Sequence, residues 1–133
     1  VNVFPAGDRV LTWGRRWWAT AWDASDGSPV CALRSADAEV DVTEIFPAGD
    51  RVATAGFQDR VVRVWDIAKC SVLAQHSAEN WIVSVAVLAH GRSVAAMDVT
   101  GRVSIFGAGS GEGPSTMRMA SGPDSGVGLL AFH

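Results

Sequence analysis

Ile45-Phe46-Pro47-Ala48-Gly49-Asp50-Arg51-Val52 is followed by a short run ending Val61-Val62-Arg63-Val64-Trp65-Asp66, and the pair of segments recurs along the chain. Phe4-Pro5-Ala6-Gly7-Asp8-Arg9-Val10 repeats Phe46 to Val52 residue for residue and leads on to Trp22-Asp23. A worn third copy, Leu88-Ala89-His90-Gly91-Arg92-Ser93-Val94, leads to Val103-Ser104-Ile105-Phe106-Gly107. Gly7, Gly49 and Gly91 stand about 42 residues apart, a period at which self-similarity signals stacked supersecondary units. Each unit reads as short strands between tight turns. In the second, the spacing predicts strands from Val40 to Phe46, Arg51 to Ala55, Val61 to Trp65 and Cys70 to Gln75. Turns fall at Pro47 to Asp50, Phe57 to Arg60 and Ile67 to Lys69. Several strands lack polar alternation, as expected where both faces of a sheet are covered. The pattern predicts an all-β chain of stacked four-stranded antiparallel sheets.

The order of glycine turn, small-residue strand, Asp59 in a turn and then V-R-V-W-D resembles the WD-repeat β-propeller family, in which each repeat is one blade. The resemblance covers nearly the whole chain. It implies a propeller segment with blade 1 at about 1–35, blade 2 at about 40–75, blade 3 at about 82–119, and the first strand of a further blade at about 127–133. Three blades and a strand cannot close a ring, since propellers use about 4–8 blades. The expected partners therefore include the remaining blades of a longer chain, or further copies that complete the ring. In this family a Ser or Thr, a turn Asp, the strand Trp and a preceding His brace each blade. The resemblance assigns that role to Thr12 and Trp22 in the first repeat, and to Thr54, Asp59 and Trp65, with Asp66 closing the motif, in the second. His76 serves the third, where Ala96, Thr100 and Phe106 replace the other members. One extra residue between Val52 and Trp65 predicts a bulge in the middle turn of repeat two.

With 133 residues, nearly half of them apolar, and no block of like charge, the chain is long enough for one ordinary folded domain. A formal charge of −3 gives no support for general phosphate binding. No apolar run approaches the length of a membrane span, and Val1 to Val10 lacks the regions of a signal peptide. Cys31 and Cys70 have no partner spacing and read as reduced core residues, so a cytoplasmic or nuclear setting is expected.

Candidate binding residues come from the loops. Up-and-down strand order gathers the turns between second and third strands on the same face as the connections from one unit to the next. That face would collect Arg15, Arg16 and Trp17; Asp37 and Glu39; Phe57 and Gln58; Glu79, Asn80 and Trp81; and Asp124. Loops held by a rigid scaffold are where binding residues tend to sit. Trp and Arg together suit a protein interface. They would also suit base stacking, but one such cluster in an acidic chain argues against nucleic acid. The plainer readings are that Trp18 and Trp22 fill space between blades and that Trp81 is buried at the start of the next strand.

No catalytic set assembles. His76, His90 and His133 lie apart, and Cys70 with His76 lacks zinc-finger spacing. The glycine-rich segment Gly107 to Pro114 fits no phosphate-loop pattern and reads as a turn. The sequence therefore predicts a non-catalytic protein-interaction scaffold that docks a peptide or protein on its loop face, without cofactor or metal and without nucleic acid or membrane. The alternative is a regulatory or substrate-recruiting segment of a larger enzyme, such as a ligase adaptor, kinase or protease.

Overall fold

The computed structural model describes residues 1–14, 17–34, 40–56, 59–109 and 117–119. Twelve strands form three four-stranded antiparallel sheets. The first contains β1 (Asn2–Val3), β2 (Arg9–Gly14), β3 (Trp17–Asp23) and β4 (Pro29–Leu33). The second contains β5 (Val42–Ile45), β6 (Arg51–Ala55), β7 (Val61–Asp66) and β8 (Ser71–Ser77), and the third contains β9 (Ile82–Leu88), β10 (Ser93–Asp98), β11 (Val103–Gly107) and β12 (Met117–Met119). In every sheet the strands pair in chain order. The described strands close no barrel.

The repeated turns fold alike because their residues demand the same backbone. Gly7 and Gly49 both take φ 73°, a left-handed conformation that glycine adopts without strain. Each donates its N–H to the phenylalanine carbonyl three residues earlier, Gly7 to Phe4 and Gly49 to Phe46, at 2.8 Å. In the third copy Gly91 has φ 89° and the exposed His90 stands beside it at φ 56°.

Two cores lie between the sheets. In the first, Leu11, Ala19, Ala21, Cys31 and Leu33 of the first sheet meet Val52, Trp65 and Ile67 of the second. In the second, Ala53, Ala55, Val62 and Val64 meet Ile82, Val85, Val94, Ala96 and Phe106 of the third. Val52 and Val64 thus face opposite ways from one sheet, both fully buried, which is why these strands carry almost no polar alternation.

An arginine clasp accompanies both cores. The Arg9 guanidinium lies 4.6 Å over the Phe4 ring and donates to the Gly49 carbonyl of the next sheet at 2.9 Å. Arg51 lies 4.3 Å over Phe46 and donates to the Ala108 carbonyl at 3.1 Å. A Cβ on Gly91 would come within 2.7 Å of the Arg51 guanidinium, so the turn glycine also makes room for the clasp. Ser93 stands at the arginine position of the third copy.

The reading of the cysteines is corrected. Cys31 and Cys70 are joined in a disulfide rather than reduced, with 5.5 Å between their Cα atoms. Packing the first sheet on the second brings β4 beside the turn before β8, a proximity that spacing along the chain does not announce. The ladder between β6 and β7 runs unbroken from Arg51↔Asp66 to Ala55↔Val62, and the middle turn expected to bulge lies partly outside the described residues. A ladder shift lies at Val64/Trp65 between β7 and β8. Trp18 and Trp22 sit in neither of the two cores. With Thr12, Trp13 and Thr20 they line an open face of the first sheet, where Trp18 is 40% exposed beneath the Arg34 guanidinium.

Candidate functional site: a cleft where the second and third sheets meet

The connection from β8 to β9 and the turn from β10 to β11 meet at one rim. The Val99 N–H donates to the Trp81 carbonyl at 2.9 Å, and the Arg102 guanidinium pairs with the Glu79 carboxylate at 2.7 Å. Asp98 organises the turn. One of its oxygens, Oδ1, accepts the Thr100 N–H at 2.9 Å, the Thr100 hydroxyl at 2.6 Å and the Arg102 N–H at 3.1 Å. Such side-chain bonds to the following backbone are what Asp supplies in turns. The other oxygen, Oδ2, has, among the described residues, the Asn80 amide at 3.4 Å, near the outer limit for a hydrogen bond.

A cleft of about 160 Å³ opens below this rim. Ile82, Ala96 and Asp98 form its buried part, His76, Ser77 and Ser104 stand along it, and Glu79 and Arg102 lie at its exposed end. The cleft exists because of the repeat's third copy. In the first two sheets a tryptophan N–H donates to a threonine hydroxyl, Trp22 to Thr12 at 2.8 Å and Trp65 to Thr54 at 2.9 Å. Ala96 and Phe106 occupy those two positions in the third sheet, so hydroxyl and N–H are lost together and no orphaned group remains. Ala96 lines the cleft where a threonine would stand. His76 stacks on Phe106, with 4.8 Å between ring centroids.

The charges of the cleft are unevenly balanced. Glu79 and Arg102 neutralise one another at the exposed end. Asp98 is only 7% exposed, and among the described residues no cation lies within ion-pair distance of it. Burial raises its pKa, but the hydrogen bonds from Thr100, the Arg102 N–H and Asn80 outweigh that and hold it below the usual carboxylate value. It is ionised at neutral pH. Burial pushes the His76 imidazole down, so that ring is neutral there.

Of the residues singled out in the sequence, Glu79, Asn80 and Trp81 come together on this rim. Trp81 is 39% exposed rather than buried. Arg15, Arg16, Asp37, Glu39, Phe57, Gln58 and Asp124 lie outside the described residues, and Trp17 is described only as the backbone partner of Gly14. Asp59 forms an ion pair with Arg63. Asp66 caps the turn before β8 by accepting the Lys69 N–H at 3.0 Å. The strand expected at 127–133 and most of the glycine-rich segment are likewise outside the described residues. Asp98, Arg102 and Ser104 were not anticipated. Asp98-Val99-Thr100-Gly101 carries an Asp turn signature that could have drawn attention to the first of them.

Among the described residues no group of three or more His, Cys, Asp or Glu side chains could hold a metal ion, and no helix is long and apolar enough to cross a membrane. No protein-family model matches the chain, and no curated protein matches it.

Proposed function

We propose that the three sheets are blades of a propeller-like array of the WD-repeat type and that the array is a non-catalytic scaffold, docking a peptide or protein on the rim that carries Glu79, Asn80 and Trp81. The observation that carries this reading is the cleft: a concave site where the apolar Ala78, Ile82 and Ala96 meet convergent polar groups, set among loops on a sheet scaffold. The test is selection from a displayed peptide library against the purified chain, followed by direct binding. Peptides should bind the parent and lose affinity on Trp81→Ala combined with Glu79→Gln, yet bind normally to Asp26→Asn on the far turn of the first sheet. Equal loss on both variants would reject the rim.

The open face of the first sheet supports a second part of the reading. The Trp65 side of the second sheet is covered by the first sheet, whereas the matching Trp22 side of the first sheet is open. Further blades of the same chain, or further copies, are the covering the repeat pattern calls for. Light scattering on the chain separates the two. The bonded cysteines remove the argument for a reducing compartment, and a disulfide of this kind fits an oxidising one.

A further inference from the structure

We propose that the cleft between the second and third sheets takes a lysine side chain of the partner, with its ammonium at Asp98 Oδ2 and its aliphatic stem along Ile82 and Ala96. The proposal rests on the docking reading above and names what the rim would recognise.

The first argument is charge. Buried carboxylates in folded proteins are paired, because taking a charge out of water is costly. Asp98 is buried and, among the described residues, its hydrogen-bonding partners, Thr100, the Arg102 N–H and Asn80, are all neutral. The nearby Arg102 guanidinium is committed to Glu79. A cation entering the cleft would supply the missing counter-charge, while an anion would meet Asp98 uncompensated.

The second argument is geometry, and it separates lysine from arginine. A guanidinium binds best when both carboxylate oxygens are offered to its planar fork. Here Oδ1 already accepts three donors, so only Oδ2 remains. A single acceptor suits the compact, point-like ammonium of lysine. The Ser77 and Ser104 hydroxyls line the same cleft and can accept further N–H groups. Size agrees as well: about 160 Å³ holds roughly five water-sized units at about 30 Å³ each, the bulk of the five heavy atoms of a butylammonium group.

The test uses butylammonium chloride as a lysine mimic, followed by ¹H–¹⁵N NMR on the full chain, alongside the selected peptides. Butylammonium should shift the Thr100 and Arg102 amides saturably, and butyrate should not. Ala96→Val fills the cleft without adding a polar group, and should abolish the shifts while the protein stays folded. In selected peptides, replacing the key lysine with norleucine should weaken binding by roughly tenfold or more, since hydrogen bonds to charged groups are worth about 1.5–3 kcal/mol. Replacement by arginine should also weaken it. Peptides that bind at the rim but ignore both the lysine replacements and Ala96→Val would overturn this inference and leave the docking reading standing. Absence of any rim-dependent peptide would sink both.

Discussion

The two interfaces between sheets are built from the same repeat and finished differently. Between the first and second sheets, Trp65 is 4% exposed, its N–H is taken up by Thr54, and the Cys31–Cys70 bond ties β4 to the turn before β8. Between the second and third, the Thr and Trp positions hold Ala96 and Phe106, His76 lies on the Phe106 ring, and a polar cleft is left open. Both keep an arginine clasp. The difference shows that a repeat can relax its bracing at one junction when the paired hydrogen-bonding groups are removed together. The relaxed junction is where a ligand could enter.

The largest test of this contrast is Trp65→Ala. Removing the side chain that fills the tight interface should cost about 3–5 kcal/mol in chemical unfolding. An unchanged midpoint would mean that Trp65 does not anchor that core. Next, reduction of the disulfide, or Cys31→Ala with Cys70→Ala, should cost about 2–4 kcal/mol, since the bond closes a 39-residue separation. NMR signals of Phe106 should stay in place, because only the first interface is stapled. If they move, the two junctions are coupled and the contrast weakens.

A smaller effect comes from converting the open junction into the closed kind. Ala96→Thr alone buries a hydroxyl, and Phe106→Trp alone buries an indole N–H, neither with its repeat partner. Together they should recover about 0.5–1.5 kcal/mol of coupling in a double-mutant cycle. Zero coupling would show that the third sheet cannot adopt the bracing of the other two. The smallest effect is on pH. The folded-state pKa of His76 lies below its unfolded value near 6.5, so its contribution is present above that value and is lost as pH falls through the folded pKa. His76→Phe keeps an aromatic stack and should flatten the stability profile between neutral pH and the onset of carboxylate protonation. Glu44, whose pKa burial raises, acts in the opposite sense at lower pH and should be unaffected.

Much of the architecture was legible because its causes are local. The strand Arg51–Ala55 and the start of β7 at Val61 follow from β-branched and small residues between glycine turns. The Trp–Thr pairs were legible too, once the repeat register was set. The disulfide was not, since Cys31 and Cys70 sit at non-matching points of their repeats and meet only through sheet packing. Nor was the clasp, because an Arg two residues past a turn glycine reads as a solvated charge until a neighbouring sheet brings Gly49 or Ala108 within reach. The cleft lay half in view. Ala96 and Phe106 showed as departures from the pattern, but the sequence does not say whether a missing hydroxyl becomes filled core or open space.

The disulfide and the Arg9 clasp together have a mechanical consequence. They join the first two sheets at separate places across the sheet, β2 and β4, which lie on the order of 10 Å apart at ordinary strand spacing. A body pinned at two points cannot pivot about either. The third sheet is held to the second by a packed core and by the bond from Arg51 to Ala108, with no disulfide between them. The junction pinned by a disulfide is the closed one, and the cleft opens at the junction held by packing and hydrogen bonds alone.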